Sequence, residues 1–195
     1  MSMNSQQMEA LANAMDKYAY PKILFDFKNR REMRYSSMRQ LEANIRRDLK
    51  SGNPNDAKRG LSNVLHWGFY SSGLSVVHMN KFNDNVTYEQ LALAARTLAI
   101  VRGPGLLELK NIKLQQFSNM SFLSKVRMFL DPTRWVVLDR SLMTLAAFEI
   151  QPFCNIKEYE TYLPCTRLNQ EHYAGWSKMC RQVVQLIIGV KTAWP

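Results

Sequence analysis

The chain has 195 residues, of which 46% are hydrophobic and 22% are charged, a composition that supports a packed core and excludes intrinsic disorder. Its formal net charge of +10 favours a polyanionic partner such as nucleic acid. The sequence has no apolar run long enough to span a membrane and no signal-peptide pattern at its polar N-terminus. We therefore expect a cytoplasmic protein without a membrane partner.

Hydrophobic spacing of three or four residues predicts helices along most of the chain. A first helix is expected to end at Tyr20, and a second covers residues 38–49 after a serine cap at Ser36 or Ser37. Asp56 is the expected N-cap of a third helix, which closes near residue 73.

The middle of the chain continues this pattern. Thr87 and Gln90 have the spacing of a capping box for a fourth helix, and residues 105–110 predict a short fifth. Ser121 is the expected cap of the next helix, which stops at Asp131 before a proline.

The C-terminal part is predicted to be an extended apolar run at residues 135–138, a helix over residues 140–148 capped by Asp139, and a last helix over residues 169–188. Strand candidates are limited to residues 76–78 and 135–138. The predicted fold class is all-α, and residues 1–195 form one domain, or two helical lobes with a cleft between them.

The order of elements in residues 119–145 resembles the helix-hairpin-helix DNA glycosylase superfamily, nearest to its 8-oxoguanine DNA glycosylase-like branch. Ser124, Lys125 and Val126 stand where the hairpin's final residue, a lysine and its follower stand in that family, and the run before Asp139 matches the approach to the family's aspartate. Residues 60–69 also resemble this branch. The hairpin glycines are replaced here, and the separation of Lys125 from Asp139 is shorter than usual by about one helical turn.

The resemblance implies that Asp139 is catalytic, because breaking a glycosidic bond builds positive charge on the sugar that a carboxylate stabilises. It implies two alternatives for Lys125: a nucleophile that forms an imine with the sugar, or a contact to phosphate. From the sequence we favour a monofunctional glycosylase in which Asp139 activates water and Lys125 contacts phosphate. Without the resemblance, Asp139 would be read as an ordinary helix cap and Lys125 as a solvated surface residue.

A flipped base needs stacking partners, and aromatic residues near the end of the third helix are candidates, although such residues usually form core. The predicted base-pocket residues are His66, Trp67, Phe69, Tyr70 and Trp135. The predicted DNA contacts are Ser121, Ser124, Arg127, Arg134, Arg140 and Lys113.

The expected partner is double-stranded DNA carrying a damaged or modified base, bound by a monomer. No cofactor or metal is expected, since the three cysteines and three histidines lack ligand spacing. The alternatives are a non-catalytic DNA-binding module, a helical protein-interaction module, and a phage-defence glycosylase acting on hypermodified viral bases rather than a DNA-repair enzyme.

Overall fold

A computed structural model of the protein describes residues 20–148 and 153–193, together with residues 9 and 13. The helix predicted before Tyr20 falls outside these ranges apart from those two isolated positions. Most of the described residues are helical, as the sequence predicts. No described helix is long and apolar enough to cross a bilayer.

The described part of the chain contains seven α-helices and three 3₁₀ segments. The α-helices are α1 Met38–Lys50, α2 Pro54–Gly68, α3 Ser75–Asn85, α4 Tyr88–Leu98, α5 Leu106–Asn111, α6 Met120–Leu130 and α7 Arg167–Ala193. The 3₁₀ segments are Tyr70–Ser72, Arg140–Phe148 and Phe153–Asn155.

The prediction of a purely helical fold needs a correction at the N-terminal end. β1 (Ile23–Asp26) and β2 (Arg31–Arg34) form a two-stranded antiparallel sheet with Ile23 opposite Arg34. The Asp26 carboxylate accepts hydrogen bonds from the backbone N–H groups of Lys28 (3.0 Å) and Asn29 (3.3 Å), which closes the turn between the strands. The sheet therefore depends on its turn and its pairing rather than on an alternating hydrophobic pattern.

Both strand candidates from the sequence are wrong. Residues 76–78 lie in α3, where Ser75, Met79 and Phe82 form the buried face at helical spacing. Residues 135–138 have no regular secondary structure and pair with no strand among the described residues.

Of the four caps predicted for α-helices, two are confirmed and two are wrong. Ser37 caps α1, and Thr87 with Gln90 forms the capping box of α4. Asn53 rather than Asp56 caps α2, because its side chain accepts from the N–H groups of residues 55 and 56 just before a proline at the first helical position. Asn119 rather than Ser121 caps α6.

The core is built around α2, which is buried along nearly its whole length and contacts α1, α3, α4, α6 and β1. Gly60 brings α2 close to α1, since a Cβ at this position would lie 2.9 Å from the side chain of Leu49. Arg59 forms a two-bond ion pair with buried Asp48 of α1, at 2.7 and 2.8 Å. Asn63 accepts from the N–H of Phe25 at 2.7 Å and so attaches the sheet to α2.

Of the three cysteines, Cys165 is buried, Cys180 is half-buried and Cys154 is exposed.

Candidate active site

The N-terminal end of α6 carries the lysine singled out from the sequence. Asn119 has extended backbone angles, and its side chain accepts a hydrogen bond from the N–H of Phe122 at 3.1 Å, which begins the helix. The backbone N–H of Met120 donates to the carbonyl of Leu163 at 2.9 Å, so the segment before α7 holds this end of the helix. One turn later Lys125 lies buried on the helix face.

The chain returns from the end of α6 to bring Asp139 opposite Lys125. A turn at residues 131–134 reverses the chain, and residues 135–139 then lead back to the helix without regular secondary structure. Five helical residues cover about 7.5 Å and five non-helical residues span at most about 16 Å, so the 14-residue separation is long enough for the return. The short spacing noted in the sequence thus still brings the two side chains into contact.

Two polar side chains fix the backbone just before Asp139. The Ser124 hydroxyl of α6 accepts from the N–H of Leu138 at 3.0 Å and lies 3.3 Å from its carbonyl oxygen. The Trp176 indole N–H of α7 donates to the carbonyl of Val137 at 3.0 Å. Leu138 itself is fully buried. The aspartate is therefore positioned by both helices.

Lys125 and Asp139 form an ion pair in which Nζ lies 2.5 Å from Oδ2. The two partners differ in burial, because the lysine side chain is 5% exposed and the aspartate side chain is 39% exposed. Nζ also donates to the carbonyl of Ser121 at 3.3 Å and lies 4.8 Å from the centre of the Phe122 ring. Without the resemblance the sequence favours a solvated Lys125, but the helix turns its side chain inward beside Phe122.

The carboxylate of Asp139 is held in its charged form. Burial raises its pKa, but the charge and hydrogen bond of Lys125 and the backbone N–H groups of Ser141 and Arg140 outweigh that effect and lower the pKa below its usual value. Those backbone contacts come from the start of the Arg140–Phe148 segment, so Asp139 also caps it, as the sequence predicts. The site at rest is a paired ammonium and carboxylate.

The ion pair lies in the wall of an open cleft with a volume of about 990 Å³. Such a volume is at the upper end of the range of ligand sites in proteins. The cleft is lined by the ends of α2 and α6, the start of the Arg140–Phe148 segment and residues 158–162. Tyr20 closes one side, where its hydroxyl donates to the carbonyl of Trp67 at 3.2 Å. Burial raises the pKa of Tyr20, and the negative charge of Asp139 adds to this shift.

Gly68, the last residue of α2, gives Lys125 and Phe122 their space. A Cβ at this position would lie 2.6 Å from the Phe122 ring and 3.1 Å from Cδ of Lys125. We expect Gly68→Ala to displace both side chains, to destabilise the protein by about 1–3 kcal/mol, and to lower any activity that needs the ion pair. Thermal unfolding and the activity assay described below measure the two effects.

Gly175→Ala is the matched control, because Gly175 lies in α7 and a Cβ there meets nothing within 4 Å. Alanine is the better helix former, so this variant should gain about 0.5–1 kcal/mol and keep its activity. Equal unfolding temperatures for Gly68→Ala and the unmodified protein would contradict the close packing at Gly68.

Of the five predicted base-pocket residues, Trp67 and Phe69 line the cleft. Phe69 is stacked between the rings of His78 (3.7 Å between centroids) and Phe122 (4.5 Å), so its position is fixed. The other three lie elsewhere, and for His66 the reason is that successive residues of a helix point about 100° apart.

His66 is fully buried and faces the sheet, with Nε2 3.4 Å from Glu32, and Tyr70 donates to the same carboxylate at 3.3 Å. Trp135 lies under the guanidinium of Arg127, 3.5 Å from it, and stacks on Tyr173 of α7. The structure therefore divides the predicted pocket among the cleft, the sheet and the far end of α6.

The six predicted DNA contacts are likewise spread over the molecule. Ser121 and Arg140 line the cleft. Ser124 is fully buried, and its hydroxyl accepts a hydrogen bond from the backbone N–H of Leu138 instead. Arg127 and Arg134 lie together near Trp135, away from the cleft. Lys113 is exposed in the loop between α5 and α6, with a positive φ of 58°.

Several cleft residues could not be found by sequence reasoning. The cleft wall that includes Glu158, Thr161 and Tyr162 belongs to an irregular segment without a motif. The sequence marks Tyr20 only as the end of a predicted helix. Its position beside a proline carried no functional signal, and its place at the cleft depends on how the chain enters the fold.

Within the described residues, no group of three or more histidine, cysteine, aspartate or glutamate side chains is arranged to hold a metal ion. No family model, curated protein or solved structure matches the chain.

Proposed function

We propose that the protein is a DNA glycosylase that takes a damaged or modified nucleotide into the cleft and breaks the bond between its base and its sugar. The observation that carries this proposal is the ion pair of Lys125 with Asp139, set in the wall of a cleft of about 990 Å³ in a protein of net charge +10. A base inside a duplex cannot reach such a recessed pair, so the nucleotide must be flipped out of the stack.

Asp139 supplies the negative charge that the reaction needs. As the glycosidic bond breaks, positive charge develops on the sugar, and a fixed carboxylate beside C1′ stabilises it. Ser124 and Trp176 hold the backbone that carries Asp139, so the carboxylate requires little rearrangement during the reaction. Its lowered pKa keeps it charged at neutral pH.

The burial of Lys125 favours the nucleophile over the phosphate contact that we preferred from the sequence. A side chain that is 5% exposed and enclosed by Phe122 is poorly placed to meet a phosphate outside the cleft. Attack needs the neutral amine, so Lys125 first gives up its proton to water, while Asp139 stays a carboxylate.

The neutral amine then attacks C1′, and the base leaves with the electrons of the glycosidic bond and takes up a proton. Opening of the sugar ring gives an imine between Lys125 and C1′. Water hydrolyses that imine, which returns the amine and leaves an abasic site.

Aromatic side chains on the cleft wall offer a surface for the extruded base. Phe69 is held in place by His78 and Phe122, and Trp67 lies beside it. Stacking on a fixed ring repays part of the cost of removing a base from the duplex. The candidate substrates are 8-oxoguanine, by the resemblance, and a hypermodified base of viral DNA.

The test is incubation with a set of duplexes, each carrying one modified base, followed by alkali to cut at abasic sites. We expect strand cuts at one or more of the modified bases and none in the unmodified duplex. The Asp139→Asn protein serves as the control against contaminating glycosylases. Tight DNA binding without base release from any duplex would indicate the non-catalytic DNA-binding module instead.

Binding to DNA is expected to weaken steeply with salt. Since each phosphate that the protein neutralises releases a counterion, the logarithm of the binding constant should fall with the logarithm of salt concentration by about 0.9 per phosphate. The slope is measured by fluorescence anisotropy with an unmodified duplex. The salt concentration is varied from about 50 to about 200 mM, a range over which such losses are large. An affinity that does not change over this range would favour a protein partner.

A further inference from the structure

A second concave surface lies at the C-terminal end of α6, away from the cleft. We call it the arginine pocket, and its volume is about 50 Å³, the scale of one small oxyanion rather than of a base. It is lined by five cations and one carboxylate, together with Trp135: Arg46, Lys50, Arg102, Arg127, Arg134 and Asp131.

The positive charge of the arginine pocket is not balanced within the described residues. None of its five cations forms a salt bridge there. Asp131 instead accepts a hydrogen bond from the Thr133 hydroxyl at 2.6 Å. Arg181 of α7 adds a further cation at the rim, where it donates to the carbonyl of Arg134. Like charges brought this close repel one another, so the arrangement is one that a bound anion would relieve.

Arg127 is the fixed member of this group. Its guanidinium carbon lies over the Trp135 ring, 3.5 Å from the ring centre, and Trp135 in turn stacks on Tyr173. Its Nε is buried and has no hydrogen-bond partner among the described residues. A buried donor without a partner is costly in a folded protein, and an oxygen of a bound anion would satisfy it. Burial lowers the pKa of Arg127, and the neighbouring charge of Arg134 acts in the same direction.

Four separate segments bring these cations together. Arg46 and Lys50 lie one turn apart on α1, Arg102 comes from the turn after α4, and Arg134 follows α6. The Lys50 ammonium also donates to the carbonyl of Val101 at 3.5 Å, which joins two of these segments. Guanidinium groups present planar pairs of donors that match the oxygens of a phosphate.

We propose that the arginine pocket is a phosphate-binding site, distinct from the cleft. A backbone phosphate of DNA and a free phosphate group share this chemistry, and the first of these sources rests on the proposed function. From Ser121 at the cleft to Leu130 at the pocket, α6 rises about 14 Å, close to four base-pair steps of about 3.4 Å. The separation of the cleft from the pocket along α6 thus matches the spacing of phosphates along a duplex.

The test compares two double variants of equal charge. Arg46→Gln with Arg102→Gln removes two exposed cations of the pocket, and Lys81→Gln with Arg96→Gln removes two exposed cations that line neither the pocket nor the cleft. Each protein is titrated with an unmodified duplex over a salt series, and separately with inorganic phosphate at constant ionic strength by calorimetry. Base release is not measured, so an inactive enzyme does not affect the result.

We expect the pocket variant to bind DNA about tenfold more weakly and to lose about 0.9 from its salt slope, the share of one phosphate. It should also lose the binding of inorganic phosphate, while the control variant stays within about threefold of the unmodified protein. Loss of inorganic phosphate binding with unchanged DNA binding would identify a site for a free phosphate group. Unchanged binding of both, or an equal loss in the control variant, would overturn the proposal.

Discussion

Replacing Asp139 by asparagine is expected to lower the rate of base release by at least about a hundredfold, because the variant loses the charge that stabilises the developing positive sugar. Asparagine caps helices well, so the start of the Arg140–Phe148 segment should survive. The loss of the ion pair also lowers the stability of the variant. Lys125 is 5% exposed, and asparagine leaves its charge unpaired. We expect a loss of about 1–2 kcal/mol, reduced from the cost for a fully buried pair because water reaches the site through the cleft.

A second substitution separates the two effects. Lys125→Gln added to Asp139→Asn removes the unpaired charge, so the double variant should recover most of the lost unfolding temperature and remain inactive. Chemical denaturation and the abasic-site assay on the same preparations measure both quantities. An active Asp139→Asn protein would exclude this residue from the chemistry, whatever its effect on stability.

Replacing Lys125 by glutamine is expected to abolish covalent trapping and to reduce base release to background. If Lys125 attacks C1′, borohydride reduces the imine to a stable bond between protein and DNA, visible as a slow band on a denaturing gel. The variant has no amine to form that bond. The cost in stability should be smaller than for Asp139→Asn, since the aspartate left behind is 39% exposed and water can solvate it.

Lys81→Gln is the control for the trapping experiment, because Lys81 is exposed and lies outside the cleft. Its trapped complex should match that of the unmodified protein. A protein that releases base but forms no trapped complex would restore the monofunctional mechanism preferred from the sequence. A complex that persists in Lys125→Gln would place the nucleophile at another residue.

The helices could be predicted from the sequence because their hydrophobic spacing reports directly on the buried face. The sheet could not, since all four residues of β2 are exposed and carry no alternating pattern. What holds the sheet is the turn at Asp26 and the bond from Phe25 to Asn63, a contact across 38 residues. Tertiary contacts of this kind have no local signal.

Only part of the candidate site could be predicted from the sequence, because its geometry also depends on tertiary contacts. Lys125 and Asp139 were found through a motif, and their contact then depends on the reversal at residues 131–134. The aromatic cluster at the end of α2 was a different case. Adjacent residues there point in different directions, so Phe69 reaches the cleft while His66 reaches the sheet. Because these residues are adjacent in sequence, a single pocket is predicted. The helix instead places their side chains in two different environments.

The hydrogen bonds that fix the backbone of residues 137 and 138 limit how the connection from α6 to Asp139 can vary in length. Surface connections usually accept insertions and deletions more readily than helices do. Here the bonds from Ser124 and Trp176 hold the backbone at two successive residues, and Asp139 follows directly. One residue added or removed between Asp131 and Leu138 would put a different side chain opposite Lys125. The connection therefore acts as a spacer of fixed length, open to changes of side chain but closed to changes of residue number.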